Sequence, residues 1–216
     1  IGHGYEDLGS DVPKAPMNAI PREDDHLRRR IRTSMQGMGF MQIQSLTLSN
    51  DNDQFDRMRW RPFNQITRIT NPITHEHTMM RHFLLPGLLR LLSSNRHHDL
   101  PQSVYELGTV VRDHTNMDRL AFLTAERSGG FASIRGRIQA FLRDIGAENA
   151  TIEALPDNEG PWLAGRAAKV LIDGEWVGCF GEIDPTISQT YELLVPLNGA
   201  DFDVEALKSV ITDPVR

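Results

Sequence analysis

The 216-residue chain contains one cysteine, Cys179, which rules out an internal disulfide. A lone thiol fits a reducing compartment, so the expected location is the cytoplasm. No apolar run approaches the length needed to cross a membrane, and no basic-then-apolar leader precedes a small-residue cleavage site. Basic excess is also lacking. The net charge is −6, whereas a dedicated nucleic-acid-binding domain usually carries a basic stripe or surplus. The one local cluster, Arg28, Arg29, Arg30 and Arg32, has no interleaved aromatics and reads as the solvated back of an amphipathic helix rather than an RNA patch. There is no internal repeat and no low-complexity tract. What remains is an ordinary composition, 39% hydrophobic and 24% charged, with enough chain to bury a sizeable core. The chain opens at Ile1 with IGHGYEDLG, which reads as a piece of something longer.

Positions 1–20 carry Gly and Pro without periodicity and are expected to be a linker; 21–216 are expected to form one core domain. Asp24 and Asp25 suit a helix start, their charge near the positive end of the macrodipole. Leu27, Ile31, Met35 and Met38 follow at helical spacing and Gly39 closes the helix. Phe40, Ile43, Leu46 and Leu48 suggest a strand. Positions 50–64 read as a polar surface excursion pinned by Trp60 and Phe63, with a short strand near Ile66, Thr67 and Ile69. Further on, 104–111 and 119–126 read as paired strands joined by a loop at 112–118. Phe131, Ile134, Ile138, Phe141, Leu142 and Ile145 form the cleanest amphipathic helix, closed by Gly146. Ala150, Ile152 and Ala154 alternate as a strand. Asp173-Gly174 marks a hairpin within VLIDGEWVGCF. Asp184 and Pro185 are the cap and first turn of a helix. Phe202 and Val204 mark a last strand, and 204–210 a closing helix. Strands joined by hairpins with helices between them make an α+β domain, an antiparallel β-sheet flanked by helices.

The chain is organised around NPITHEHTMMRHFLLPGLLRLLSSNRHHDLPQSVYELGTVV, from Asn71 to Val111. Pro86 sits in a first turn, where its missing N–H costs nothing. A helix with leucine at 84, 85, 88, 89, 91 and 92 must be buried over most of its girth. The landmarks Asn71-Pro72, Met80-Arg81, Leu84-Leu85-Pro86-Gly87-Leu88-Leu89, Asn95-Arg96-His97 and Tyr105-Glu106-Leu107-Gly108 together resemble the β-subunit signature of phenylalanyl-tRNA synthetase, archaeal and eukaryotic type. The pattern spans about forty residues, far beyond a chance motif, and continues more loosely to Asp203.

The resemblance implies a class II aminoacyl-tRNA synthetase core. The helix–glycine–strand layout of 24–48 is similar to that class's first signature, which makes the subunit interface, although the usual proline at the strand's end is absent. On that reading the interface residues are Leu27, Ile31, Met35 and Met38. The second signature needs an arginine to grip the ATP α-phosphate, because a triphosphate must be neutralised and oriented. The strand 104–111 holds Glu106 but no arginine; Arg112 and Arg119 remain as outside candidates. The last segment, GADFDVEALKSV, has one glycine and no arginine and cannot be the third signature. No catalytic, cofactor-binding or metal residue is therefore assigned. The resemblance implies an α2β2 heterotetramer whose α subunit holds ATP, magnesium, phenylalanine and the tRNA(Phe) acceptor end, with this chain docking on it in phenylalanine–tRNA ligation. A homodimer of the isolated piece through the same helix is a further expectation. Two other readings are a fragment with its own ATP-dependent adenylate chemistry and a stand-alone RNA-binding module.

Other constellations carry less. His75, Glu76, His77 and His82 miss the HExxH spacing and read as a polar segment. His97, His98 and Asp99 sit at a helix C-terminus, where imidazolium complements the dipole. Cys179 reads as a packed thiol, and Ser128-Gly129-Gly130 as a flexible lead-in to the next helix rather than a phosphate loop.

Overall fold

A computed structural model describes residues 25–147, 149–156 and 160–211, with Gly4, Glu6, Gly9 and Ile20; most of the expected linker lies outside the described residues. The elements run α1 Asp25–Gly37, β1 Met41–Gln42, β2 Leu48–Ser49, β3 Met79–Met80, α2 Leu85–Ser94, β4 Gln102–Arg112, β5 Thr115–Ala125, α3 Phe131–Ile145, β6 Ala150–Ala154, β7 Trp162–Ile172, β8 Glu175–Ile183, α4 Pro185–Thr190, β9 Leu197–Asp203 and α5 Val204–Val210. Seven strands make one sheet in the order β1-β4-β5-β9-β8-β7-β6. Every pairing is antiparallel except β1 with β4. The α+β reading holds.

Two-residue periodicity divides this sheet into two faces. Tyr105, Leu107, Leu120, Phe122, Val170, Phe180 and Phe202 point to one side, where α1, α3 and α5 lay Ile31, Met35, Ile134, Ile138, Phe141 and Leu207 against them. On the other side Val104, Val110, Ala121 and Leu123 meet α2, whose Leu85, Leu88, Leu89 and Leu92 are all buried. Burying each of these side chains stabilises the fold by roughly 1.5–3 kcal/mol. Pro86 lies in the first turn of α2, and Asn95 ends it, its side-chain amide donating to the Leu91 carbonyl at 2.8 Å.

The local signals mostly work as the residue types require. Gly146 takes φ 85°, the left-handed C-cap of α3. Asp173 and Gly174 both take positive φ and close the β7–β8 hairpin. Asp184 caps α4 by accepting from the Thr186 N–H at 2.8 Å, and Asp203 caps α5 by accepting from Ala206 at 3.0 Å.

Four expectations change. The strand expected across 40–48 is broken, with β1 on the large sheet and β2 pairing with β3 in a separate ribbon. The β4–β5 loop is only Asp113 and His114, both at positive φ, because the strands run on to Arg112 and Thr115. The short strand near Thr67 is one isolated bridge, Arg68 to Met79. The largest correction concerns 50–64. Its first half is not a surface excursion: Asn52–Asp56 forms a π-helical turn that buries Phe55, and Met58 is buried beside it, whereas 61–64 stay exposed. Its polarity misleads because Gln54 works inside the fold. The Gln54 carbonyl accepts the backbone N–H of both His82 and Phe83, each at 2.8 Å. Trp60 does pin the segment, stacking on Phe83 with centroids 3.7 Å apart.

Candidate functional site

The sheet face opposite α1, α3 and α5 carries two buried arginines and, beside α2, an open cavity. The register of β5 on β9 sets Arg119 opposite Asp203, with Asp201 one step along the same face and Cys179 opposite Asp201 on β8. Arg119 forms ion pairs with both Asp201 and Asp203, the latter at 3.1 Å. Burial works against its charge, but the two carboxylates more than offset that and raise its pKa. The satisfaction is incomplete: Arg119 Nε and Asp201 Oδ2 are buried without a hydrogen-bond partner.

Arg112, at the end of β4, points into the same cavity. Its Nε and Nη2 donate to the His82 carbonyl at 3.2 and 3.0 Å. Its guanidinium carbon lies 4.9 Å from the ring centroids of both Phe63 and Phe83, a double cation–π contact. Burial, and then the like charge of Arg119, lowers its pKa to about 10. The cavity has a volume of about 570 Å³; Trp60, Phe63, Phe83, Trp162 and Trp176 supply its aromatic walls and Asp201 and Asp203 part of its floor.

A third arginine, Arg81, is also buried and belongs to a different arrangement. Its Nη1 meets Glu106 at 2.6 Å and Ser45 Oγ at 2.9 Å, while its Nε donates to the Thr109 carbonyl at 2.8 Å. Ser45 in turn donates to the other Glu106 oxygen at 2.6 Å. A side chain at Gly108 would collide with Arg81 Nη2, and one at Gly87 with Ser45 Oγ. The landmarks Arg81, Gly87, Glu106 and Gly108 therefore form one lock that fixes α2 and β3 against β4. None of them faces the cavity.

The stripe Leu27, Ile31, Met35 and Met38, expected to face a partner, faces inward. Ile31 and Met35 have no exposed surface, Leu27 is buried, and Met38 packs partly against the same core. The reason is α3, which lies alongside α1 and covers the stripe from within the chain. Of the basic cluster, Arg28 pairs with Asp118 and Arg30 donates to the Ile145 carbonyl at 2.9 Å. Exposed apolar side chains lie instead beyond the helix, at Met41 (69% exposed) and Leu46 (59% exposed) near the β1 edge.

The remaining candidates are placed as follows. His82 is fully buried between Phe55 and Phe63, and burial, with the Arg112 charge, lowers its pKa. His77 contacts Thr74 at 3.3 Å, whereas His97 and His98 are exposed at the end of α2. No group of metal-binding side chains occurs among the described residues. The N–H of Phe131, just after Ser128-Gly129-Gly130, donates to Glu182 at 2.6 Å, so this chain's own carboxylate occupies the N-terminus of α3. Cys179 is half-buried at the cavity. Asp201 and Asp203 are the polar residues that sequence reasoning missed. The signal was there, since they alternate with buried Ala200 and Phe202 on a strand and so must share the opposite face.

The seven-stranded, largely antiparallel sheet, with α1, α3 and α5 on one face and α2 and the cavity on the other, has the fold of a class II aminoacyl-tRNA synthetase core. Two solved structures titled as pyrrolysyl-tRNA synthetases of Desulfitobacterium hafniense share this fold. One superposes with TM-score 0.71 at 15% identity over 88% of this chain and 72% of that one; the other has TM-score 0.70 over 86% and 68%. The family model for the phenylalanyl-tRNA synthetase β chain CLM domain matches residues 8–204, and the chain belongs to that family. Phenylalanine–tRNA ligase β subunits are 33% identical in Archaeoglobus fulgidus (95% of this chain, 38% of that protein) and 33% in Methanopyrus kandleri (91% and 35%). The chain thus spans a little over a third of the length of these relatives.

Proposed function

We propose that this chain is the non-catalytic, class II-like core of a phenylalanine–tRNA ligase β subunit, which docks on the catalytic α subunit and supports it. The observation that carries the reading is Arg119. It lies on the floor of the cavity beside Arg112, and Asp201 and Asp203 of the same chain already neutralise it. A triphosphate entering there would meet two carboxylates rather than an open cationic clamp, and like charges repel strongly where water is sparse. ATP, magnesium, phenylalanine and the acceptor end of tRNA(Phe) then belong to the α subunit of an α2β2 assembly in the cytoplasm. Among the described residues no helix is long and apolar enough to cross a membrane.

Docking is assigned to the β1 edge rather than to the inward stripe of α1. An edge strand offers unpaired backbone groups, and Met41 and Leu46 add exposed apolar surface there. The same edge would serve a homodimer of the isolated chain. The test is co-elution of the full-length β subunit with its α subunit. Wild type is expected to co-elute and the variant Met41→Asp/Leu46→Asp to separate, with pyrophosphate exchange present only in fractions containing α. Exchange by β alone, or undiminished co-elution of the variant, counts against the reading.

A further inference from the structure

Cys179 is the chain's one thiol, and it stands half-buried in the wall of the cavity. The strand registers fix its neighbours: Asp201 of β9 is directly opposite on one side and Lys169 of β7 on the other. Such pairs share a face, with Cβ atoms about 4.5–5.5 Å apart. Glu153 answers Lys169 at 3.0 Å. Arg119 lies within electrostatic reach of the sulfur. Arg112, on the same cavity, has only a neutral hydrogen-bond acceptor among the described residues, the His82 carbonyl. Four arginines and two aspartates line the cavity in all. The thiolate is the nucleophilic form of cysteine, and a partly exposed thiol in electropositive surroundings is the reactive kind. At about 570 Å³ the cavity gives a small reagent room to reach it.

A second observation names the reagent. Asp201 is 2% exposed, yet its Oδ2 has no hydrogen-bond partner, and neither has Nε of Arg119, with which it forms an ion pair. One is an acceptor lacking a donor and the other a donor lacking an acceptor, and such buried groups are costly to leave unmet. A hydroxyl carried on the sulfur of Cys179 supplies both: its O–H donates to Asp201 Oδ2 and its oxygen accepts from Arg119 Nε. We propose that Cys179 is a reversible oxidation site for small hydroperoxides, with its sulfenic acid held between Asp201 and Arg119. In the step with hydrogen peroxide, an electron pair of the sulfur attacks one peroxide oxygen. The S–O bond forms as the O–O bond breaks, and the departing hydroxide takes up the thiol proton and leaves as water. Sulfur loses two electrons and the peroxide gains them; thiols reverse the change. The site does not depend on the docking role: the docking test reads co-elution, whereas this one reads covalent modification.

The experiment treats the full-length subunit that carries this chain with hydrogen peroxide, traps sulfenic acid with dimedone and reads the Cys179 peptide by mass spectrometry. Labelling at Cys179 should be at least fivefold faster in the folded protein than in the urea-unfolded protein at the same pH. It should vanish when dithiothreitol precedes the dimedone, the two thiols of the reductant becoming one disulfide as water leaves. Without dimedone, one oxygen should accumulate on Cys179 and a second should follow at least tenfold more slowly. Arg112→Met should slow labelling at least threefold, and Asp201→Asn should let the adduct run on to sulfinic acid. Because both variants disturb buried polar groups, the wild type supplies the deciding readout. Its melting temperature should rise on oxidation by about 2 °C, the effect of one added hydrogen-bonded group, and Cys179→Ser should show no such rise. Labelling no faster than in the unfolded chain, a fall in melting temperature on oxidation, or direct passage of the wild type to sulfinic acid would each overturn the proposal.

Discussion

Arg81, just after β3 of the two-stranded ribbon, and Arg119, on β5 of the large sheet, are both largely withdrawn from water, but they are solved differently. Arg81 has a carboxylate, a hydroxyl and a carbonyl around it, and its partner Glu106 is held from two sides. No atom of that group is buried without a partner. Arg119 has two carboxylates, yet its own Nε and one oxygen of Asp201 have no partner, and the group borders an open cavity. A buried ion pair stabilises a fold only when its remaining hydrogen-bonding capacity is satisfied. By that criterion the first arrangement is a structural lock, and the second is the floor of a site whose charge has been cancelled from within.

The contrast predicts unequal costs. Replacing Arg81 by Met strands Glu106, 1% exposed, in the core, and should lower the unfolding free energy by about 3–5 kcal/mol in urea titration. Arg119→Met should cost less, roughly 1–3 kcal/mol, because Asp203 remains 22% exposed and the cavity can admit water. The reverse order would break the distinction.

A smaller effect sharpens it at the cavity's outer wall. Asp184 caps α4 and also receives the exposed Arg59 at 2.8 Å, from the stretch that follows the π-helical turn. Asp184→Ala should cost about 1 kcal/mol, measured as a shift in the urea midpoint at unchanged slope.

The smallest effect is acid dependence outside both clusters. Hydrogen bonding from Arg137, at 2.8 and 3.0 Å, is the chief cause that lowers the pKa of Glu126 in the folded chain. A depressed folded pKa contributes stability that is present above the unfolded value of about 4.3 and is lost as pH falls through the folded one. Glu126→Gln should therefore remove that contribution at neutral pH and leave acid stability little changed, so that the loss of stability below the ordinary glutamate range flattens. An unchanged acid slope would remove this pair from the account.

Much of the fold was legible because local chemistry and tertiary packing agree there. α3 shows a clean 3.6-residue period and ends at a glycine that takes the left-handed conformation; α4 begins with Asp184 and Pro185; the β7–β8 turn is Asp-Gly. The segment 50–64 was illegible for the opposite reason. Its Asn, Asp and Gln look solvated, but Asp53 and Gln54 are buried, Asp53 pairing with Arg57 and Arg90 and Gln54 saturating the backbone of His82 and Phe83. The α1 stripe misled in a related way. Periodicity reports that a face is buried, not by what, and α3 supplies the cover 100 or so residues later in the chain. At the site, Arg112 and Arg119 were visible as isolated arginines, whereas the pairing that neutralises Arg119 depends on the β5–β9 register, which no local pattern encodes.

The claim that the floor of this sheet no longer grips nucleotide is tested most directly by titrating ATP and magnesium into the folded chain, with its cooperative thermal transition checked first. The account predicts no saturable heat at millimolar ATP, in wild type and in Arg119→Met alike. Saturable ATP binding in wild type that disappears in Arg119→Met would contradict it.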